Sequence, residues 1–226
     1  MKKYIAFYTA AVFLVLCSCA TTPKNRFTVD PFSLKYPAGV VDAQCDKLLS
    51  SEVQKKEVSV SYLPDEDAVC LESRIDFVTY YQYWDRLGRE GFKTALERYK
   101  VDYEQRNLSA KNGRKERQMY GTVRGYLAWQ AIGLASDLAQ GPIELDVGYT
   151  FKGNPKNKTP YFTITQNEAE YIFMEGASRK VTSPRIKLYF TRAQADELAI
   201  IFDQEFLSGL RSRSGFGPSG VDVDEY

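Results

Sequence analysis

The stretch IELDVGYTF, residues 143–151, is the clearest secondary-structure signal in the chain and sets its fold class. Its odd-numbered positions are apolar or aromatic, and its even-numbered positions are polar or glycine. Side chains of a β-strand point alternately to opposite faces, so a period of two predicts a strand with one buried face.

Six further stretches, on both sides of this one, also read as strands because they alternate or are rich in β-branched and aromatic residues. They are KEVSVSYLP (56–64), AVCLESRIDFVTYY (68–81), MYGTVRGYLAW (119–129), YFTIT (161–165), EYIFM (170–174) and RIKLYF (185–190). We interpret 68–81 as one long strand. Gly121 and Gly125 indicate a strand that another element, such as a helix, approaches closely.

Two helices are predicted between and after these strands. In the first, about 84–110, apolar residues recur at helical spacing from Phe92 to Tyr103. The second, about 191–208, begins with a capping box of Thr191 and Gln194, and its apolar face includes Leu198 and Phe202.

The order of these elements predicts an α+β fold, because the strands alternate in character and no regular βαβ unit appears. We expect a mainly antiparallel β-sheet of about seven strands with two packed helices, forming a single domain over 44–210. Residues 19–43, which are polar and contain three prolines, read as a flexible tether of up to about 80 Å. Residues 211–226 read as a disordered C-terminal tail.

The N-terminus has the features of an export signal. Lys2 and Lys3 precede an apolar run that ends at Leu16 and is too short to span a membrane. Leu16-Cys17-Ser18-Cys19 resembles the lipobox of bacterial lipoproteins. The resemblance implies a signal peptide over 1–18 and a lipid anchor with attached fatty acids on Cys19. Ala20, where aspartate usually retains a lipoprotein at the inner membrane, favours the outer membrane.

Composition argues against several classes of function. Of 30 Lys and Arg residues, two lie in 1–18, so 28 face 29 Asp and Glu residues in the mature chain, a formal charge of −1. This balance argues against nucleic-acid binding. The chain contains no histidine, which removes Ser-His-Asp catalysis and imidazole-based metal sites. We expect no metal, no cofactor and a non-catalytic role.

Two cysteines remain in the mature domain, Cys45 and Cys70. An exported protein meets an oxidising compartment, where an even number of cysteines favours a disulfide. The alternative is two buried thiols, since free cysteine is a common small core residue.

Two clusters are candidate binding sites. One is aromatic, because aromatic side chains can stack on sugars or hold a peptide; it comprises Tyr80, Tyr81, Tyr83 and Trp84. The other is basic and could contact lipid head groups or an anionic polymer; it comprises Lys111, Arg114, Lys115 and Arg117. The alternative for the first cluster is core packing, and for the second a solvated loop.

These observations predict a membrane-anchored envelope lipoprotein that binds or scaffolds an envelope protein or polymer. One alternative is a surface-exposed lipoprotein that binds host or matrix molecules. Another is a carboxylate-dependent hydrolase of cell-wall polymer, which requires two acidic side chains facing each other across a cleft.

Overall fold

The computed structural model describes residues 27–46, 53–109, 120–131, 138–151, 160–168, 170–173, 180–183 and 185–213. The strands are β1 Tyr36–Asp46, β2 Val53–Leu63, β3 Ala68–Ile75, β4 Val78–Trp84, β5 Gly121–Ala131, β6 Ala139–Thr150, β7 Tyr161–Gln166, β8 Glu170–Phe173, β9 Lys180–Thr182 and β10 Ile186–Phe190. The helices are α1 Arg86–Glu104, α2 Arg192–Ile201 and α3 Gln204–Arg213.

Eight of the strands form a closed antiparallel barrel. Their order is β5-β4-β3-β2-β1-β10-β7-β6, and β6 pairs again with β5 to complete the ring. β8 and β9 extend from β6, with Ala139 opposite Phe173.

The predicted α+β sheet of about seven strands with two packed helices is therefore wrong. Alternation shows only that one face of each strand is buried, and both an open sheet covered by helices and a barrel satisfy this requirement. Closure depends on pairings between strands far apart in sequence, such as Cys45 of β1 opposite Leu188 of β10.

The inner face of the barrel follows the alternation seen in the sequence. In β6, Ile143, Leu145, Val147 and Tyr149 all belong to the buried core, as predicted. The same parity continues on the partner strands, where Val147 lies opposite Ile164 and Tyr149 opposite Phe162. Register between neighbours therefore brings the apolar faces together inside the ring.

The structure begins to pack well before residue 44, where the sequence suggested that a tether ends. β1 starts at Tyr36, despite Pro37 and Gly39, and a register shift between these two residues accommodates them. Phe27 and Val29 pack on the outer wall with Cys70, Tyr83 and Tyr126. Residues 27–43 are therefore part of the domain, and its N-terminal boundary at 44 was placed too late.

The long strand predicted over 68–81 is instead a hairpin of β3 and β4. The chain turns at Asp76 and Phe77, and Ile75 lies opposite Val78. Asp76 has a φ of 54°, a conformation that aspartate adopts more easily than most residues. Two-residue hairpin turns usually contain a glycine, and this turn has none. The strand-like pattern therefore continues through the turn, and the two strands read as one in the sequence.

Helix α1 covers one end of the barrel. Asp85 caps it by accepting a hydrogen bond from the Gly88 backbone N–H at 2.6 Å. Phe92 inserts between Trp84 and Phe202, with ring centroids 6.0 and 5.0 Å away. The helix ends at Glu104 rather than at 110.

Glycines bring α1 close to β5, but they lie on the helix and not on the strand. A Cβ at Gly88 would lie 2.9 Å from the Arg124 carbonyl oxygen, and one at Gly91 would lie 2.6 Å from Val123 Cγ1. A Cβ at Gly125 would instead meet Leu145 Cδ1 at 2.9 Å, inside the barrel. The predicted close approach is present, with different glycines allowing it.

The single helix predicted over 191–208 is divided into α2 and α3 at Phe202 and Asp203. The capping box at the start of α2 is confirmed, with Thr191 and Gln194 exchanging hydrogen bonds of 2.9 and 3.3 Å. The Asp203 carboxylate starts the second helix, because it accepts the Glu205 backbone N–H at 2.9 Å. That hydrogen bond lowers the pKa of Asp203. Within the described residues, no helix is long and apolar enough to cross a membrane.

Candidate functional site

The barrel has two different halves. The half beneath the helices is filled by aromatic rings, including Trp84, Phe92 and Phe202. The other half, where β1 ends and β2 and β4 begin, lies away from these helix contacts. We call it the distal half and define it by the inner face around Cys45, Ser73, Tyr80, Trp129 and Gln166.

A hydrogen bond crosses the interior at the boundary of the distal half. Gln82 Nε2 of β4 donates to Gln166 Oε1 of β7 at 2.9 Å, and both side chains are buried. β4 and β7 are not neighbours in the ring, since β5 and β6 lie between them. A buried amide pair replaces apolar packing at this level of the barrel.

Among the buried polar atoms that have no hydrogen-bond partner in the described residues, four lie in the distal half: Gln54 Nε2, Tyr80 OH, Gln82 Oε1 and Trp129 Nε1. Trp84 Nε1 and Arg89 Nη1, in the helix-covered half, are likewise without a partner. Tyr80 and Trp129 are directly opposite each other on β4 and β5, and Gln82 is the next inward residue along β4. Tyr80 is fully buried, and burial raises the pKa of its hydroxyl. Buried polar groups in folded proteins nearly always have a partner, which is commonly water or a ligand where the protein supplies none.

The distal half also carries unusually small inward side chains. Ala43, Cys45, Ser73 and Ala139 are buried there, and Gly141 lies opposite the inward Leu127. These side chains occupy less volume than the aromatic rings that fill the helix-covered half. An eight-stranded barrel is just wide enough to be filled by side chains or to hold one small ligand.

Lys56 supplies a positive charge to this half. It lies opposite the buried Ala43 and two residues before the buried Val58, so it belongs to the inward-facing set of β2. Burial raises the pKa of the nearby Cys45 thiol to about 11, and the Lys56 ammonium partly opposes this rise. Lys56 therefore lies close enough to influence the interior.

The strand alternation divides the predicted aromatic cluster between two faces. Tyr80 and Trp84 lie inside the barrel, whereas Tyr83 packs on the outer wall with Tyr81 beside it. Lys35 lies over the outer pair, with its Nζ 4.9 Å from the Tyr81 ring centroid and 3.3 Å from the Tyr83 hydroxyl. The four residues are core and wall residues and do not form one aromatic platform, although Tyr80 contributes to the distal half.

The predicted disulfide between Cys45 and Cys70 is wrong, since both residues are buried free thiols. Cys45 faces the interior from β1, and Cys70 faces the outer cluster from β3. They lie opposite Gln54 and Ser61 of the intervening strand, which are separated by roughly 23 Å along β2. A disulfide requires Cα atoms within about 7 Å.

The remaining predicted site residues lie outside the described part of the chain. These are the lipidation candidate Cys19 and the basic residues Lys111, Arg114, Lys115 and Arg117. The acidic pair that a hydrolase needs is absent from the inner face, where no described inward position of the eight strands is Asp or Glu. Within the described ranges, no group of three potential metal-ligating side chains occurs.

Four residues of the distal half were not predicted as site residues from the sequence: Lys56, Gln82, Trp129 and Gln166. The signal in the sequence was a polar side chain at a position that strand alternation places on the same face as buried apolar residues. Gln82 falls between Tyr80 and Trp84, and Lys56 extends the series of Val58 and Val60.

Comparison with known proteins identifies the family of the chain. Residues 31–209 match a protein family described as "Uncharacterised Treponema protein". An "Uncharacterized protein" of Treponema pallidum (strain Nichols) is 23% identical over 201 residues, which make up 87% of this chain and 66% of the relative. The chain thus spans just under two thirds of that relative. No solved structure matches it. Because the family match includes every strand of the barrel, the chain belongs to this Treponema protein family.

Proposed function

We propose that this protein is a lipid-anchored envelope lipoprotein that binds a small molecule in the distal half of its barrel, without chemical conversion. The observation that carries the proposal is the group of buried, unpartnered polar atoms of Tyr80, Gln82 and Trp129. Leaving such atoms without partners destabilises a fold by about 1–3 kcal/mol each, and a ligand that bonds to them would remove that cost.

The proposed site has the composition of a binding site rather than that of an active site. Ligand sites are mostly apolar with a few convergent polar groups, and here the amides and the hydroxyl share the inner face with the buried apolar residues Ile75, Val78 and Ile143. The inner face offers no carboxylate pair among the described positions, and the chain contains no histidine. A hydrolytic alternative has no support from these residues.

The proposed anchor is Cys19, on the strength of the Leu16–Cys19 motif. One fatty-acid chain gives only marginal membrane binding, whereas two or three chains on one cysteine hold a protein stably. Ala20 supports an outer-membrane location.

The barrel site is tested with the chain from residue 20 onward, which contains every described residue. The uncharged probe 10-bromodecan-1-ol should bind and quench Trp129 through its bromine, a heavy-atom quencher that acts only at short range. The chain has only two tryptophans, and Trp84 lies in the helix-covered half. We expect Trp84→Phe to retain the quenching and Trp129→Phe to lose most of it. Quenching that is absent, or unaffected by Trp129→Phe, would refute the site.

The anchor is tested separately by labelling growing cells with palmitate. Cys19→Ser should abolish incorporation, and Cys17→Ser, which changes the neighbouring cysteine of the same motif, should leave it unchanged. Label that survives in Cys19→Ser would exclude Cys19 as the acylated residue.

A further inference from the structure

The charge on the inner face of β2 distinguishes this barrel interior from a plain apolar one. Lys56 lies in the inward series of β2, between Gln54 and Val58, whereas its neighbour Lys55 is exposed and lies opposite Gln44 on the outer wall. Lysine is among the residues least often turned inward unless a partner neutralises it.

Lys56 has no carboxylate partner within ion-pair distance in the described ranges, where the ion pairs involve Arg89, Lys93 and Lys100. Two acidic residues lie in the same region. Asp46 directs its carboxylate outward, where it accepts the Tyr189 hydroxyl at 2.7 Å, and Asp76 lies in the β3–β4 turn.

Three charged side chains influence the Cys45 end of the distal half, namely Lys56, Asp46 and Asp76. Lys56 has a larger effect on the pKa of Cys45 than either Asp46 or Asp76 has. Lys56 belongs to the inward series of β2, whereas the Asp46 carboxylate points outward, so a group that enters the barrel beside Cys45 meets the ammonium of Lys56 on the inner face.

We propose that the ligand is an amphipathic anion whose negative head group pairs with Lys56 and whose short apolar body lies on the rings of Tyr80 and Trp129, with a polar group at its far end that bonds to the unpartnered Tyr80 hydroxyl, Gln82 amide oxygen and Trp129 N–H. This inference rests on the proposed barrel site. A carboxylate and a phosphate head group share the required chemistry, since both accept hydrogen bonds from an ammonium.

The depth of the distal half limits the ligand's length. From Val78 to Gln82 the chain rises about 13 Å, and at the usual strand tilt this corresponds to about 10 Å along the barrel axis. The Gln82–Gln166 hydrogen bond and the aromatic rings of Trp84 and Phe92 lie beyond this depth. The body of the ligand is therefore short, comparable to a chain of eight to ten carbons or to two fused rings.

The test is displacement of 10-bromodecan-1-ol, read through the recovery of Trp129 fluorescence, by four ten-carbon amphiphiles with different head groups. They are decanoate, decyl phosphate, decanol and decyltrimethylammonium. In the unmodified chain, one of the two anions should displace the probe at a concentration about tenfold lower than decanol does. The better anion identifies the head group, and the cation should compete least.

Two neighbouring lysines give a matched pair of variants. Lys56→Met should remove the anion's tenfold advantage over decanol, whereas Lys55→Met on the outer wall should retain it. Lys56→Glu should reverse the preference in favour of decyltrimethylammonium, which shows that the variant is folded and that charge decides.

The outcomes separate the two proposals. Equal displacement by decanol and both anions, or an anion preference that survives Lys56→Met, would overturn the role of Lys56 and leave the barrel site intact. Failure of the uncharged probe to reach Trp129 would instead overturn the barrel site itself.

Discussion

Replacing Tyr80 with phenylalanine should stabilise the ligand-free protein, which is the reverse of the usual effect of removing a buried hydroxyl. Tyr80 is fully buried, and its hydroxyl has no partner among the described residues. Its removal takes away a desolvation cost of about 1–3 kcal/mol and leaves the ring in place. For a domain of this size, the melting temperature should rise by about 2–4 °C for each kcal/mol.

Tyr99 provides the matched control, because it is also fully buried but its hydroxyl donates to the Pro160 carbonyl at 2.8 Å. Tyr99→Phe removes that bond and leaves a buried carbonyl unpaired, so it should lower the free energy of unfolding by about 1–3 kcal/mol. Thermal and urea unfolding of both variants, after any bound ligand has been extracted, would measure the difference in their free energies of unfolding. If Tyr80→Phe destabilises the protein as Tyr99→Phe does, the hydroxyl is already satisfied, and the argument for an open binding position at Tyr80 fails.

Two further predictions concern the core and the thiols. Leu198 is fully buried, so Leu198→Ala should lower the free energy of unfolding by about 2–5 kcal/mol. Ile200 is 63% exposed, so the control Ile200→Ala should change the free energy of unfolding by less than about 0.5 kcal/mol. Equal urea midpoints for the two variants would contradict the core assignment. The native protein should show two free thiols that alkylate very slowly at pH 8, because burial raises the pKa of Cys45 to about 11 and that of Cys70 to about 12 and the reactive thiolate is scarce below those values. Rapid alkylation that stays constant from pH 7 to 9, or a Cys45–Cys70 crosslink in non-reducing peptide maps, would show that the thiols are not buried as described.

Local features of this fold were predictable from sequence, because local rules determine them. The alternation of β6 and the capping box of Thr191 and Gln194 depend on residues within a few positions of each other, and both are present. The break between α2 and α3 was missed although Asp203, a good capping residue, marks it. The apolar face continues through Phe202 and conceals the interruption.

Long-range features were not predictable in the same way. Whether β1 pairs with β10, and so closes the ring, depends on residues far apart in sequence, such as Cys45 and Leu188. The disulfide prediction failed for the same reason, because cysteine count and compartment carry no information on which face of a strand each thiol occupies. The sequence shows that Gln82 alternates with Tyr80 and Trp84, but that this face of β4 lines a closed barrel depends on the long-range pairings.

The packing of Phe27 and Val29 on the outer wall changes how far the domain can travel from its proposed anchor. Only seven residues, 20–26, separate Cys19 from Phe27. The tether can therefore extend at most about 29 Å, instead of the roughly 80 Å expected for a tether that ends at residue 43. With the anchor proposed at Cys19, Phe27 and the barrel wall on which it packs are therefore held within about 29 Å of the acylated cysteine.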